Sequence, residues 1–444
     1  MKKYIFFVVG VMCTLLSHTA YAIDLNKSDA NIIGHVLEKK TGEHLPYMTV
    51  ALKGTTIGTM TDGTGHYFLK NLPEGEFTLS VSAVGYKPQE RKVTLKRGKT
   101  LEENFELEED MVALDGVVVT ANRNETARRL APTLVKVVTP KLFDMTNSHA
   151  LSQGLVFQPG VRVENDCQNC GYSQVRINGM DGKYTQILID SRPIFSALAG
   201  VYGLEQIPAN MIERVEVVRG GGSALFGSSA IAGTVNIITK EPLRNSGSFA
   251  HSISNFDGSG SFDNNTTLNL SLVSSDNKMG AYIYGQNRHR SAWDSNGDGF
   301  SELPKLKNQT VGINAYYRLN PYSKLNLEYH HMEEFRRGGN RFDLPPHIAE
   351  DANLNGSGKP GLVEQIEHSI NTGGLKFSAF SKDQKHSFNA YASAQHIVRD
   401  SYYSAYGHTT DFTGVLGAQY IYHFDKLFFM PSDLTGGVEF NHDN

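Results

Sequence analysis

From Phe249 onward the sequence is a succession of strand-length runs with period-two polarity. Leu268, Leu270 and Leu272 alternate with Asn269 and Ser271, and Leu325, Leu327 and Tyr329 alternate with Asn326, Glu328 and His330. Successive side chains of a strand face opposite ways, so each run offers one apolar and one polar face. Runs at 248–255, 266–274, 281–287, 311–319, 324–331, 370–380 and 387–398 read as strands. Their connections alternate in length. Asp276-Asn277-Lys278, Asn320-Pro321-Tyr322 and Ser381-Lys382-Asp383-Gln384 are short turns, while the stretches to about Leu306 and from Glu333 to about Leu362 are long. A soluble β-sandwich also alternates polarity. Unequal loops at the two ends of about nine strands suit a membrane β-barrel instead.

Composition agrees. Gly is 43, Tyr 20 and Phe 23, with a single Trp. A mean hydropathy of −0.32 excludes a bundle of membrane helices. Forty-two basic against 46 acidic residues leave a net charge of −4, which argues against a nucleic-acid partner.

The N-terminus sets the compartment. Lys2 and Lys3 precede an apolar run from Tyr4 to Leu16, too short to span a bilayer as a helix. Ala20-Tyr21-Ala22 then supplies an A-x-A cleavage site. This is the pattern of a secretory signal peptide cut before Ile23. Cys13 leaves with it, and Cys167 and Cys170 face an oxidising compartment.

Between Asn31 and Glu109 short β-type runs are punctuated by turn residues, among them Asp62-Gly63-Thr64-Gly65, read as a hairpin joining 57–61 to 66–69. About seven strands in about eighty residues predict a small β-sandwich. The stretch GHVLEKKTGEHLPYMTVALKGTTIGTMTDGTGHYFLKNLPEGEFTLSVSAVGY resembles the carboxypeptidase regulatory-like domain. That resemblance implies a binding or spacer module.

The segment 207–240 reads IPANMIERVEVVRGGGSALFGSSAIAGTVNIITK. With Pro159-Gly160-Val161, Val175-Arg176-Ile177-Asn178-Gly179 and Gln186-Ile187-Leu188-Ile189-Asp190, it resembles the plug of TonB-dependent outer-membrane receptors. A phosphate loop is the rival at Gly222 to Gly227, but Ser228 stands where that loop needs Lys. The expected fold is mainly β, with an N-terminal β-sandwich (23–109), a linker (110–124), an α/β plug (125–242) and the first part of an antiparallel transmembrane barrel (243–444) behind the signal peptide (1–22).

The resemblance implies several sites. Asp115, Gly116, Val117, Val118, Val119, Thr120 and Ala121 fall where the family has its TonB box, a segment able to add as a strand to a partner's sheet edge. The alternative is that Val117–Val119 opens the plug. Glu213, Arg214, Glu216, Arg219, Gly220 and Gly227 form the plug motif, whose charges are expected to pair with the barrel's inner wall because unpaired buried charges are costly. Arg192, Phe195 and Tyr202 lie in the stretch that faces incoming ligand in the family; they could equally pack inside the barrel.

Three readings rest on the residues themselves. Cys167 and Cys170 are close enough in sequence for a disulfide, with a thiol pair contacting soft metal or haem as the sharper alternative. Asp294, Asn296, Asp298 and Glu302 place oxygens at alternate positions of an outer loop, a pattern suited to Ca2+. His347 and Glu350 spell a HxxE zinc pair without a third ligand, which gives an enzyme little support.

Taken together, the sequence predicts not an enzyme but an outer-membrane receptor. It would need no cofactor beyond Ca2+ in an outer loop. Its partners would be membrane lipid, TonB, and a scarce small ligand such as a ferric siderophore, haem or cobalamin. Oligosaccharide or peptide uptake, or surface signalling without transport, are the alternatives. The family barrel has about 22 strands, and about nine cannot close. The chain is therefore expected to be a fragment.

Overall fold

In the computed structural model the residues described are 29–109, 117–118, 120, 126–127, 135–167, 172–193, 207–383 and 385–444, apart from single positions 47, 63, 84, 85, 222, 228 and 429. The expected signal peptide lies outside them.

The N-terminal unit has eight strands: β1 (Ala30–Glu38), β2 (Thr49–Leu52), β3 (Gly58–Met60), β4 (His66–Leu72), β5 (Gly75–Ser82), β6 (Gln89–Leu95), β7 (Thr100–Glu102) and β8 (Phe105–Leu107). They form two four-stranded sheets, one in the order β3-β2-β5-β6, the other built on β4-β1-β7 with β8 also on β1. Alternate residues of both sheets, such as Ile32, Val36, Val50, Leu69, Leu79, Val81, Val93 and Leu107, meet in one core. This is the expected β-sandwich. The expected hairpin at Asp62–Gly65 is corrected: β3 and β4 belong to different sheets, and β4 pairs with β1. The turn chemistry reversed the chain as read, but pairing went to the strand that shares the buried face.

β9 (Val117–Val118) and β10 (Thr126–Ala127) form a small antiparallel ribbon. The plug follows. Its sheet runs β11-β15-β16-β14, from β11 (Val135–Val138), β14 (Thr185–Ile189), β15 (Ile212–Arg219) and β16 (Gly233–Thr239). β12 (Val161–Cys167) and β13 (Tyr172–Ile177) make a separate ribbon. Among the described residues three short helices complete it: α1 (Pro140–Met145), α2 (Leu151–Leu155) and α3 (Ser223–Phe226). Leu151, Leu155, Ile177, Ile212, Val215, Val235 and Ile237 are the heart of its core.

The last nine strands form one antiparallel sheet in sequence order: β17 (Ser246–Asn255), β18 (Phe262–Val273), β19 (Met279–Arg290), β20 (Lys305–Asn320), β21 (Ser323–Gly339), β22 (Val363–Phe380), β23 (His386–Tyr403), β24 (Tyr406–Leu427) and β25 (Met430–Asp443). Its edges, β17 and β25, do not pair with one another, so the sheet is open. Two expectations are corrected here. Residues 333–339 continue β21 rather than opening a loop, because Glu334 and Arg336 are buried on the sheet's inner face, while Arg337, facing the other way, is buried against the loop at Arg341 and Phe342. The alternation of long and short connections also breaks: 291–304 and 340–362 are long, but 404–405, at the same end, is a tight turn.

The sheet inverts the polarity of a soluble protein. Its inner face buries Asp263, Asn265, Gln286, Arg288, Asn308, Thr310, Glu334 and Thr372. Its outer face exposes Phe249, Ile253, Leu268, Leu272, Val311, Leu327, Leu416, Leu434 and Phe440. Such an apolar outer band over a polar interior is what a hydrocarbon surround requires. No described helix is long and apolar enough to cross a membrane.

Candidate functional site

The plug is seated on that polar inner face. Asn210 Nδ2 donates to Asn269 Oδ1 at 2.9 Å and to the Gly285 carbonyl at 3.2 Å, and the Tyr282 hydroxyl donates to the Asn210 carbonyl. Asn314 donates to the Lys240 carbonyl, and Lys324 reaches both Glu241 oxygens at 3.0 Å. His149 lies between Asn265 and Ser252, at 3.1 and 3.2 Å. Burial, then the nearby Arg288, push its imidazole below the usual range. Among the described residues, only two barrel side chains, Tyr282 and Tyr284, join the plug's apolar core. Tyr284 fits because Gly312 faces it; a Cβ there would lie 2.2 Å from the ring.

At the centre of the plug is a buried polar chain. Glu216, on β15, has no solvent exposure. Its carboxylate accepts from Arg214 Nε at 2.9 Å and from both the backbone N–H and the hydroxyl of Thr120, at 2.8 and 2.6 Å. Asn236, equally buried on β16, donates to the Thr120 hydroxyl and to Ser191 Oγ, both at 3.0 Å. Its own carbonyl oxygen accepts from the Ser191 N–H. Next to Ser191, Asp190 accepts from the Thr239 N–H and hydroxyl. Burial and then the charge of Glu328 push the Asp190 carboxyl above its usual range, against the pull of Arg192. Arg192 is buried and forms an ion pair with Glu328 of β21 at 2.5 Å. One run of contacts thus joins Thr120, Glu216, Asn236, the 190–192 turn and the barrel wall.

Of the two readings open for Arg192, the structure shows the side chain bound to the barrel wall at Glu328; Phe195 and Tyr202 lie outside the described residues. Glu216 pairs with Arg214 and Thr120 inside the plug, so the expected pairing of this charge with the wall is corrected. Contacts to the wall come from Arg192, Glu241, Asn210 and His149 instead, residues the plug motif did not contain. Of the box, Val117 and Val118 form β9 and Thr120 is docked on Glu216, whereas Asp115, Gly116, Val119 and Ala121 lie outside the described residues. Among the described residues, β9 pairs with β10 and not with the plug sheet.

In the outer loop 291–304, Asp294, Asp298 and Glu302 bring carboxylate oxygens within 4.8 Å of one another. Asn296 is turned aside: its Oδ1 accepts from the Asp298 N–H and its Nδ2 donates to Asp298 Oδ2. Backbone N–H groups of Gly297 and Gly299 fix Asp294, and that of Phe300 fixes Asp298. His347 and Glu350 sit on α4 (Pro346–Glu350) in the outer loop 340–362. They contact Tyr406 and Tyr402 of the rim rather than converging on a metal. Cys167 ends β12, and Cys170 lies outside the described residues.

The sandwich meets the opposite, short-turn end. Thr56 N–H donates to the Pro321 carbonyl at 2.9 Å, and Tyr322 packs on the sandwich core.

Comparison with known proteins fits a plug held in an inverted sheet. Residues 32–119 match the CarboxypepD_reg-like domain, and residues 127–234 match the TonB-dependent Receptor Plug Domain. The chain carries the plug domain of the TonB-dependent receptors. A vitamin B12 transporter, BtuB, from Vibrio vulnificus is 35% identical over 176 residues, covering 38% of this chain and 28% of that protein. BtuB from Photobacterium profundum is 37% identical over 128 residues, covering 28% and 20%. Among solved structures, the siderophore receptor PirA from Acinetobacter baumannii superimposes with a TM-score of 0.58 at 20% identity, covering 71% of this chain and 49% of that one. The alcaligin outer membrane receptor FauA from Bordetella pertussis gives 0.56 at 15%, covering 74% and 50%. The receptor chain spans about half the length of these solved structures, and its aligned part under a third of the vitamin B12 transporters. The proteins named in these matches are receptors and transporters.

Proposed function

We propose that this receptor acts in the outer membrane in the uptake of a metal chelate, cobalamin or a ferric siderophore, with energy supplied through TonB. The observation that carries the reading is the docking of Thr120. A segment able to pair with a partner's sheet edge is held by Glu216, and Asn236 ties the same hydroxyl to the turn at 190–192. A ligand that moves that turn loosens the Thr120 contact, provided it binds the undocked state better than the docked one. The relatives' names, vitamin B12 transporters and siderophore receptors, support a chelate in preference to a glycan or peptide. Ca2+ bound by Asp294, Asp298 and Glu302 would order the loop where ligand arrives, at the weak affinity of extracellular sites.

The single tryptophan offers a direct test. Trp293 stacks on Phe256 in the outer loops. The purified chain in detergent is titrated with cyanocobalamin, haem and a ferric siderophore, each a strong quencher. Saturable quenching by one of them is expected; quenching by none redirects the search to glycans or peptides. Val118→Pro removes a backbone donor from the box and should abolish capture of TonB's periplasmic domain without changing the quenching. Undiminished capture refutes the box.

A further inference from the structure

The receptor reading leaves one cluster unused. In the N-terminal sandwich His35, His44 and His66 form a closed triangle of rings, with centroids 5.3 Å apart for His35 and His44, 4.9 Å for His44 and His66, and 5.8 Å for His35 and His66. They come from three segments. His35 on β1 and His66 on β4 are directly opposed partners, and His44 is itself bridged to Leu37, two residues beyond His35 on β1 and on the same face. Each histidine precedes a buried core residue, Val36, Leu45 or Tyr67. Alternation therefore turns the three imidazoles together, away from the core.

The backbone beneath them is held. Val36 N–H donates to the Gly65 carbonyl at 3.0 Å and Leu45 N–H to the Val36 carbonyl at 2.8 Å. Gly65 has φ +77°, and a Cβ on it would lie 2.8 Å from the His44 Cβ. Glycine is what lets the turn approach His44 this closely. The turn also selects a tautomer. Thr64 Oγ1 donates its one hydrogen to Asp62 Oδ1 at 2.7 Å and lies 3.1 Å from His66 Nδ1. With that hydrogen spent, His66 Nδ1–H must be the donor, which leaves Nε2 with its lone pair. Asp62 Oδ1 also accepts from the backbone N–H groups of Thr64 and His66, at 2.8 and 3.1 Å, which fixes it as the acceptor of this turn. An acceptor for the far ring nitrogen of a ligand histidine, here the Thr64 hydroxyl held by Asp62, is a usual companion of a metal site.

We propose that His35, His44 and His66 bind a divalent transition ion of borderline softness, Zn2+ or Cu2+, through three imidazole nitrogens with water completing the shell. Imidazole suits these ions, and three nitrogens with an open fourth position is a known zinc arrangement. The ring nitrogens as they stand are not all within 4.8 Å of one another. Binding therefore turns a ring, and His44 and His66 are exposed and able to do so.

The test uses the full chain in detergent, dialysed against Zn2+ with excess Ca2+ present to fill oxygen sites. The wild type is expected to bind one Zn2+ more than the His44→Ala/His66→Ala double variant. His44→Ala alone should weaken that site about tenfold or more. With Cu2+, the electron paramagnetic resonance spectrum should show three coupled nitrogens, falling to two in His44→Ala. Thr64→Val should weaken binding while leaving three nitrogens. Equal Zn2+ uptake by the wild type and the double variant overturns the proposal, as does a nitrogen count that His44→Ala leaves unchanged. The metal-free unfolding temperature checks the fold. Should His44→Ala lower it, His44→Gln repeats the same two measurements with the same outcomes.

Discussion

Thr120→Val is the sharpest probe of the docked box. Valine keeps the shape and the backbone N–H bond to Glu216, and removes the hydroxyl that is 2.6 Å from Glu216 Oε2 and 3.0 Å from Asn236 Nδ2. Thr120 is 1% exposed, so no water replaces the lost partner in the docked state. A hydrogen bond to a charged acceptor is worth about 1.5–3 kcal/mol. Taking about 2 kcal/mol, the docking constant falls roughly 30-fold. Hydrogen exchange of a peptide covering 117–120, read by mass spectrometry on the detergent-solubilised chain, should lose protection by that factor. The affinity for TonB's periplasmic domain, measured without ligand, should rise by up to the same factor where the docked state dominates. Thr120→Ser restores the hydroxyl and should behave as wild type. Unchanged exchange in Thr120→Val refutes the reasoning, and so does equal loosening in Thr120→Ser.

Three further outcomes follow from the seating of the plug. Arg192→Ala leaves Glu328 and Asp190 buried without their cation and should destabilise the chain by about 3–5 kcal/mol, whereas Arg192→Met with Glu328→Leu should come close to wild-type stability; equal unfolding temperatures for the single and double variants would sink the ion-pair account. The imidazole of His149 is depressed in the folded state, so the folded form binds fewer protons than the unfolded form below the ordinary value of 6.5. Its contribution is present above that value and is lost as pH falls through the folded one, and His149→Gln should flatten this part of the stability-against-pH curve. Ca2+ titrated into the chain should bind more weakly after Asp298→Ala; identical affinities would remove the loop site.

Much of the architecture was legible locally. The eight-stranded sandwich follows from short alternating runs and turn residues, and the plug follows from its glycine-rich motif. The outer ends of the barrel strands were not legible, for a physical reason. Glu334 and Arg336 read as loop because charge normally marks solvent, yet they line an inner wall where they pair out of contact with solvent. For Arg192 the sequence left ligand contact and packing inside the barrel equally open, and the partner Glu328, far away in sequence, is what decides for the wall. The hairpin read at Asp62–Gly65 failed because turn residues specify a reversal of direction and not which strand becomes the neighbour.

The sequence by itself determined the class of this protein: a strand-rich chain with a regulatory-like sandwich ahead of a TonB-dependent receptor plug. Those properties are written in short-range patterns, in polarity period, turn chemistry and one contiguous motif. Only the tertiary structure decided which groups meet. Thr120 and Glu216 are 96 residues apart, Arg192 and Glu328 lie on different domains, and the three histidines come from three segments of one sandwich. Such contacts depend on strand register and on how the sheet wraps the plug, and no local pattern encodes either.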